Sequence, residues 1–214
     1  MHVHLDRRAV PHHQRAIPHG RDIGANLGDV EIVSLEDVLL IVPISGLCLF
    51  GAQTAERIVI GAHYDARSKP PGADDNASGV AGLIELAYLI AKEKLKTSIE
   101  LVSYPLEEPP FFGTEDMGSA QHAKWLHDRK VDVKCMIALE MIGYFTEQEG
   151  SQTFPMPLLN WFYPNRGHFI ALVGRLDQRR LTKRIKGAMK GTTDLPVYSI
   201  NAPSVIPGID FSDH

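Results

Sequence analysis

The chain has 214 residues, 44% of them hydrophobic and 22% charged, with a formal net charge of −4. That length supports one substantial domain with its own core, and the balance excludes a disordered or fibrous chain. The mild negative charge offers no attraction to nucleic acid or to an anionic membrane surface, so neither is expected as a partner.

Residues 1–25 hold five of the ten histidines (His2, His4, His12, His13 and His19) and little apolar periodicity. A poorly ordered N-terminal segment is expected there, ahead of a single domain over 26–214; a metal-binding His tract is the alternative. Residues 38–52, VLLIVPISGLCLFGA, are uncharged but too few to span a bilayer, and they follow Glu36 and Asp37 rather than a basic flank. They read as two buried strands broken near Pro43 and Gly46. A displaced export signal is the alternative, so cytoplasmic and exported locations both stay open. The two cysteines, Cys48 and Cys135, are expected as buried thiols without a disulfide.

From residue 57 the pattern sharpens. RIVIGAHYDA is an apolar strand that runs into polar residues. The stretch 76–96 repeats apolar residues at helical spacing (Val80, Leu83, Ile84, Ala87, Ile90), with lysines collecting at its end. SIELVSYPLE predicts a strand, 118–130 a helix, VKCMIALEMIG a third strand and HFIALVG a fourth. A basic amphipathic helix over 179–190, with a solvated charged face, and a strand at 195–200 complete the series. Strands alternating with helices argue for a three-layer αβα fold around a mostly parallel mixed sheet.

In such sheets functional groups gather beyond the carboxyl ends of the strands. Here the first strand ends in His63 and Asp65, and the following helix is preceded by Asp74 and Asp75 in PGADDNASG. The next strand ends in Glu107 and Glu108, the third reaches Glu140, and the chain closes on His214. Adjacent carboxylates repel unless a cation faces them, and histidine with carboxylates is a donor set for zinc and similar divalent ions. One of the paired glutamates would hold a metal and its neighbour would act as a base toward an activated water. The bland reading of Asp74 and Asp75 is helix capping, and that of His122 and His127 is a pair of surface groups. Glu140 reads as a carboxylate inside an apolar strand, where a metal would remove the cost of burying it.

In order along the chain, HYDA, PGADDNASG, EEPPFFGTEDMGS, LEMIGY and SDH resemble the M28 family of zinc-dependent metallopeptidases, over about residue 57 to 214. The resemblance implies a zinc-exopeptidase fold, a peptide substrate and two zinc ions per chain, or another divalent pair. It implies Asp75 as the bridging carboxylate, His63 and Glu140 on one metal, and Glu108 and His214 on the other. Glu107 corresponds to the general base, and Asp65 to a carboxylate that orients His63. The implied activity is removal of N-terminal residues from peptides, with Tyr144, Phe145 and Phe211 as walls of a side-chain pocket. Glutamate at position 140 is aspartate in many simple aminopeptidases, which leaves the substrate class open. The chain also stops at His214, where family members continue into a further strand and helix. A glutaminyl-cyclase-like acyltransferase with one zinc, and an inactive binding module of the same fold, are the alternatives.

Overall fold

A computed structural model of the chain describes residues 46–51, 56–67, 69, 71–154, 157–203 and 212–213. The expectations for residues 1–25, for the first half of the apolar stretch, and for Phe211 and His214 lie outside these residues. Within them, no helix is long and apolar enough to cross a membrane.

The central sheet has four strands in the order β1 (Gly46–Phe50), β3 (Ser98–Tyr104), β2 (Glu56–His63), β4 (Asp132–Ala138). β2 is parallel to both of its neighbours, and β1 is antiparallel at the edge, so the sheet is mixed and mostly parallel. β2 is bonded on both sides and covered on both faces, which is why its middle, residues 58–62, is continuously apolar. β5 (Ile170–Gly174) and β6 (Val197–Asn201) pair parallel in a separate two-stranded ladder, not in the larger sheet.

Helices α1 (Gly79–Ile90) and α2 (Gly118–Asp128) cover opposite faces of the sheet. Leu83 of α1 packs with Phe50, Ala62 and Leu101. Leu126 of α2 packs with Val59, Val102 and Tyr104. The alternation along β3 sends Leu101 to one core and Val102 and Tyr104 to the other, which gives the three layers. α3 (Arg179–Met189) lies against β5 and β6 with Arg179, Arg180, Lys183 and Arg184 exposed, a solvated basic face as expected.

Three differences from the sequence reading have local causes. The helix expected from residue 76 starts at Gly79, because 73–78 forms a wide irregular turn. Ile84 is half exposed, since it lies one residue, or about 100°, round the helix from Leu83, beyond the stripe that Val80, Leu83, Ala87 and Ile90 present to the sheet. The cysteines are free but only half-buried.

A further difference concerns polar burial. His122, expected at the surface, is buried on α2 with Ser119 and Leu126, at three- and four-residue spacing. Its Nδ1 meets the Tyr104 hydroxyl at 2.9 Å, and its Nε2 faces Glu100 Oε1 at 2.8 Å. Arg57 donates to the other Glu100 oxygen at 2.6 Å. Burial alone would raise the Glu100 pKa, but His122 and Arg57 outweigh it and hold the carboxyl below its usual range. Removing one member of such a buried set strands the charges of the others. Glu100→Ala is therefore expected to lower unfolding free energy by roughly 3 kcal/mol in urea melts; a loss below about 1 kcal/mol would show that the set contributes little.

Candidate metal centre

Parallel register brings the functional ends of three strands level. His63 pairs with Tyr104 at the ends of β2 and β3, and Gly61 pairs with Ala138 at the end of β4. Three residues after Tyr104 comes Glu107, and two after Ala138 comes Glu140. Glu140 therefore lies in the turn beyond β4 rather than inside the strand, and it is only partly buried.

His63 is 1% exposed, and its Nδ1–H donates to the Asp65 carbonyl oxygen at 3.1 Å. That bond turns Nε2 toward three carboxylates: Asp75 Oδ1 at 3.3 Å, Glu140 Oε1 at 3.4 Å and Glu107 Oε2 at 3.7 Å. Asp65 holds the opposite side through its own carboxylate, which accepts the backbone N–H of Glu107 at 3.3 Å and of Glu108 at 3.0 Å. One residue thus orients the imidazole with its carbonyl and the paired glutamates with its carboxylate. The Asp65 carboxylate is also 3.5 Å from Nδ1.

The donor atoms of His63, Asp75 and Glu140 all lie within 4.8 Å of one another, a group able to hold a metal ion. Glu108 is outside that group, and its carboxylate accepts the Arg67 N–H at 3.2 Å. Tyr144 is largely exposed, while Phe145 packs edge-on against His168. Two residues beside the cluster were not singled out from sequence. Ser212 donates to Glu140 Oε2 at 2.9 Å. Asp213 is 8% exposed; Ser119 is the donor beside it, yet neither oxygen has a partner in full hydrogen-bond geometry among the described residues. Both belong to the SDH stretch, where a serine and an aspartate beside a histidine are the sequence signal for them.

The charges demand a cation. Among the described residues no lysine or arginine pairs with Asp75, Glu107, Glu140 or Asp213. Burial, with Asp213, Glu140 and Glu108 and against the pull of His63, pushes Glu107 up to about 7. Burial likewise pushes Asp213 up to about 6 and raises Asp75. Burial opposes protonation of His63, but Glu140, Glu107 and Asp213 outweigh it and push the imidazole up to about 9. A divalent ion suits this donor set of one imidazole and several carboxylates, and it would displace the proton from His63.

The sign of the pH dependence follows from these directions. Glu107 and Asp213 bind protons more tightly folded than unfolded, so each favours the fold at low pH and opposes it once ionised. His63 contributes stability below its ordinary 6.5, and this is lost as pH rises through about 9. Chelator-treated chain is expected to melt about 3 °C or more lower at pH 8.5 than at pH 6. Added zinc should erase or reverse that difference. A flat profile in chelator would mean that the cluster does not repel itself as its geometry requires.

Comparison with known proteins follows the same lines. The model of peptidase family M28 matches residues 47–189. The uncharacterized protein YfbL of Escherichia coli (strain K12) is 51% identical over 173 residues, 77% of this chain and 53% of YfbL. A probable zinc metalloprotease of Pyrenophora tritici-repentis is 33% identical over 112 residues, 48% of this chain and 25% of that protein. Among solved structures, the LapA aminopeptidase of Legionella pneumophila superposes with a TM-score of 0.57 at 23% identity, covering 79% of this chain and 40% of LapA. BSAP, a zinc aminopeptidase from Bacillus subtilis, gives 0.54 at 18% identity, covering 79% of this chain and 36% of BSAP. These superpositions share the fold, and the chain spans about half the length of YfbL and about a quarter of the fungal protein.

Proposed function

The chain belongs to peptidase family M28, and from that premise we propose that it is a zinc-dependent exopeptidase that removes N-terminal residues from peptides. The observation that carries this reading is the convergence of Asp75, Glu107 and Glu140 on one nitrogen of a buried histidine. Zinc held there would supply a coordinated water of lowered pKa and a Lewis acid for a peptide carbonyl.

The protein's own residues supply the rest. His63, Asp75 and Glu140 would hold one ion, and Asp75 with Glu108 and His214 would hold a second. Glu107 stands 3.7 Å from the His63 nitrogen and outside the three-residue metal group. It is free to take a proton from the attacking water and return it to the leaving amine. Asp65, through the two backbone N–H groups it accepts, fixes where Glu107 starts. Tyr144, Phe145 and Phe211 are assigned to the walls of the side-chain pocket.

A one-zinc site of the glutaminyl-cyclase kind is the second reading. It is kept because, among the described residues, a single group of three donors lies close enough to hold an ion, and the Glu108 carboxylate is engaged by the Arg67 backbone N–H.

Elemental analysis of purified chain together with turnover of aminoacyl substrates separates the two. Two zinc ions with release of the N-terminal residue support the exopeptidase, whereas one ion with cyclisation of N-terminal glutamine supports the alternative. Glu107→Gln should keep its zinc and lose about 10²- to 10⁴-fold in kcat. A loss of less than tenfold would remove Glu107 from the proton-transfer role.

A further inference from the structure

Glu140 sits at the start of a turn whose backbone is held from across the site. Asn76, 1% exposed, donates from its side-chain amide to the Leu139 carbonyl at 2.8 Å. Its carboxamide oxygen accepts the N–H of Met141 and that of Gly79, each at 3.2 Å. The two residues flanking Glu140 are therefore tied to one carboxamide, and through it to the first turn of α1. Ser78 Oγ accepts the Ile142 N–H at 3.0 Å, and Asp74 accepts the Gly143 N–H at 2.8 Å. The Asp74 carboxylate does not cap the helix, and Asn76, which does meet the first N–H of α1, uses the rest of its amide elsewhere; the two side chains reach 63 to 69 residues along the chain.

The turn needs such a hold. Met141 has φ 46°, a left-handed conformation that disfavours a side chain and persists only where surrounding contacts over-determine it. The fit at Asn76 is close: a Cβ on Gly79 would lie 2.5 Å from Asn76 Oδ1 and 2.6 Å from the Leu139 oxygen. Asn76 also directly follows Asp75 in the chain, so two members of the metal group are fixed through a single residue, one by the peptide chain and one by the carboxamide.

We propose that Asn76 is a positioning residue of this centre, setting Glu140 against His63 and Asp75 without touching the ion. The inference rests on the metal reading above. An amide is required because the same side chain must donate to a carbonyl and accept from two N–H groups. Aspartate of the same shape would place an acceptor against the Leu139 oxygen.

The test is binding, not turnover. Full-length metal-free chain is titrated with cobalt, followed by visible absorption, and with zinc in competition with a chelating dye. Native, Asn76→Asp, Gly79→Ala and Glu100→Gln chains are compared well below their melting temperatures. Asn76→Asp is expected to weaken binding about 10- to 100-fold and to alter the cobalt spectrum. Gly79→Ala, which crowds the carboxamide without removing it, should shift both in the same direction and serves if Asn76→Asp does not fold. Glu100→Gln loses stability at the other side of the sheet and should keep native affinity. Native affinity and spectrum in both clamp variants would overturn the proposal. So would parallel losses in all three variants, since Asn76 would then act through stability alone. If the native chain binds neither ion, the metal reading falls and takes the proposal with it.

Discussion

Four carboxylates crowded around one buried imidazole repel one another unless a cation or retained protons offset their charge, and much of this structure is arranged around that constraint. Asp75, Glu107 and Glu140 crowd the same His63 nitrogen, and Asp213 is buried beside them. Without a cation the cluster retains protons, and their displacement links metal binding to stability and pH. The chemistry proposed for the site uses the same crowding: Glu107 lies beside the cluster but outside the three-residue metal group, so its carboxylate is free to exchange a proton.

The supports for this cluster are split between backbone and side chains. Parallel pairing of β2 with β3 and β4 levels the strand ends, so His63, Glu107 and Glu140 reach one edge without long loops. Asp65 then fixes the position of the glutamate pair, and the 74–78 turn fixes the Glu140 turn. Helix α2 joins the site to the core beneath it. Ser119 lies beside Asp213, and His122, on the same helix face, belongs to the buried set with Tyr104, Glu100 and Arg57. The acid site and the buried ionic set are thus braced by adjacent turns of one helix.

The strands and helices were largely legible because burial writes its own period. β2 is apolar from 58 to 62, as the middle of a strand covered on both faces must be, and the stripe of α1 has helical spacing. The boundaries were less so. The motif GADDNASG contains residues that ordinarily cap helices, yet its side chains bond to a turn more than sixty residues away, which no local pattern encodes. His122 is not a surface group like His127, five residues on and on another face of α2. Its true companions are Ser119 and Leu126, with which it shares a face.

What the sequence determined by itself is the list of chemical groups and their order: imidazole and carboxylates following apolar strands, in a pattern shared with a metallopeptidase family. Residue types and short-range periodicity suffice for that, since both are local properties of the chain. The tertiary structure decided which groups meet. It drew His63, Asp75 and Glu140 together, left Glu108 facing a backbone amide, and turned Asn76 into a clamp on the turn of Glu140. Those outcomes depend on strand register and on hydrogen bonds between distant segments, whose energies exist only once the sheet has formed.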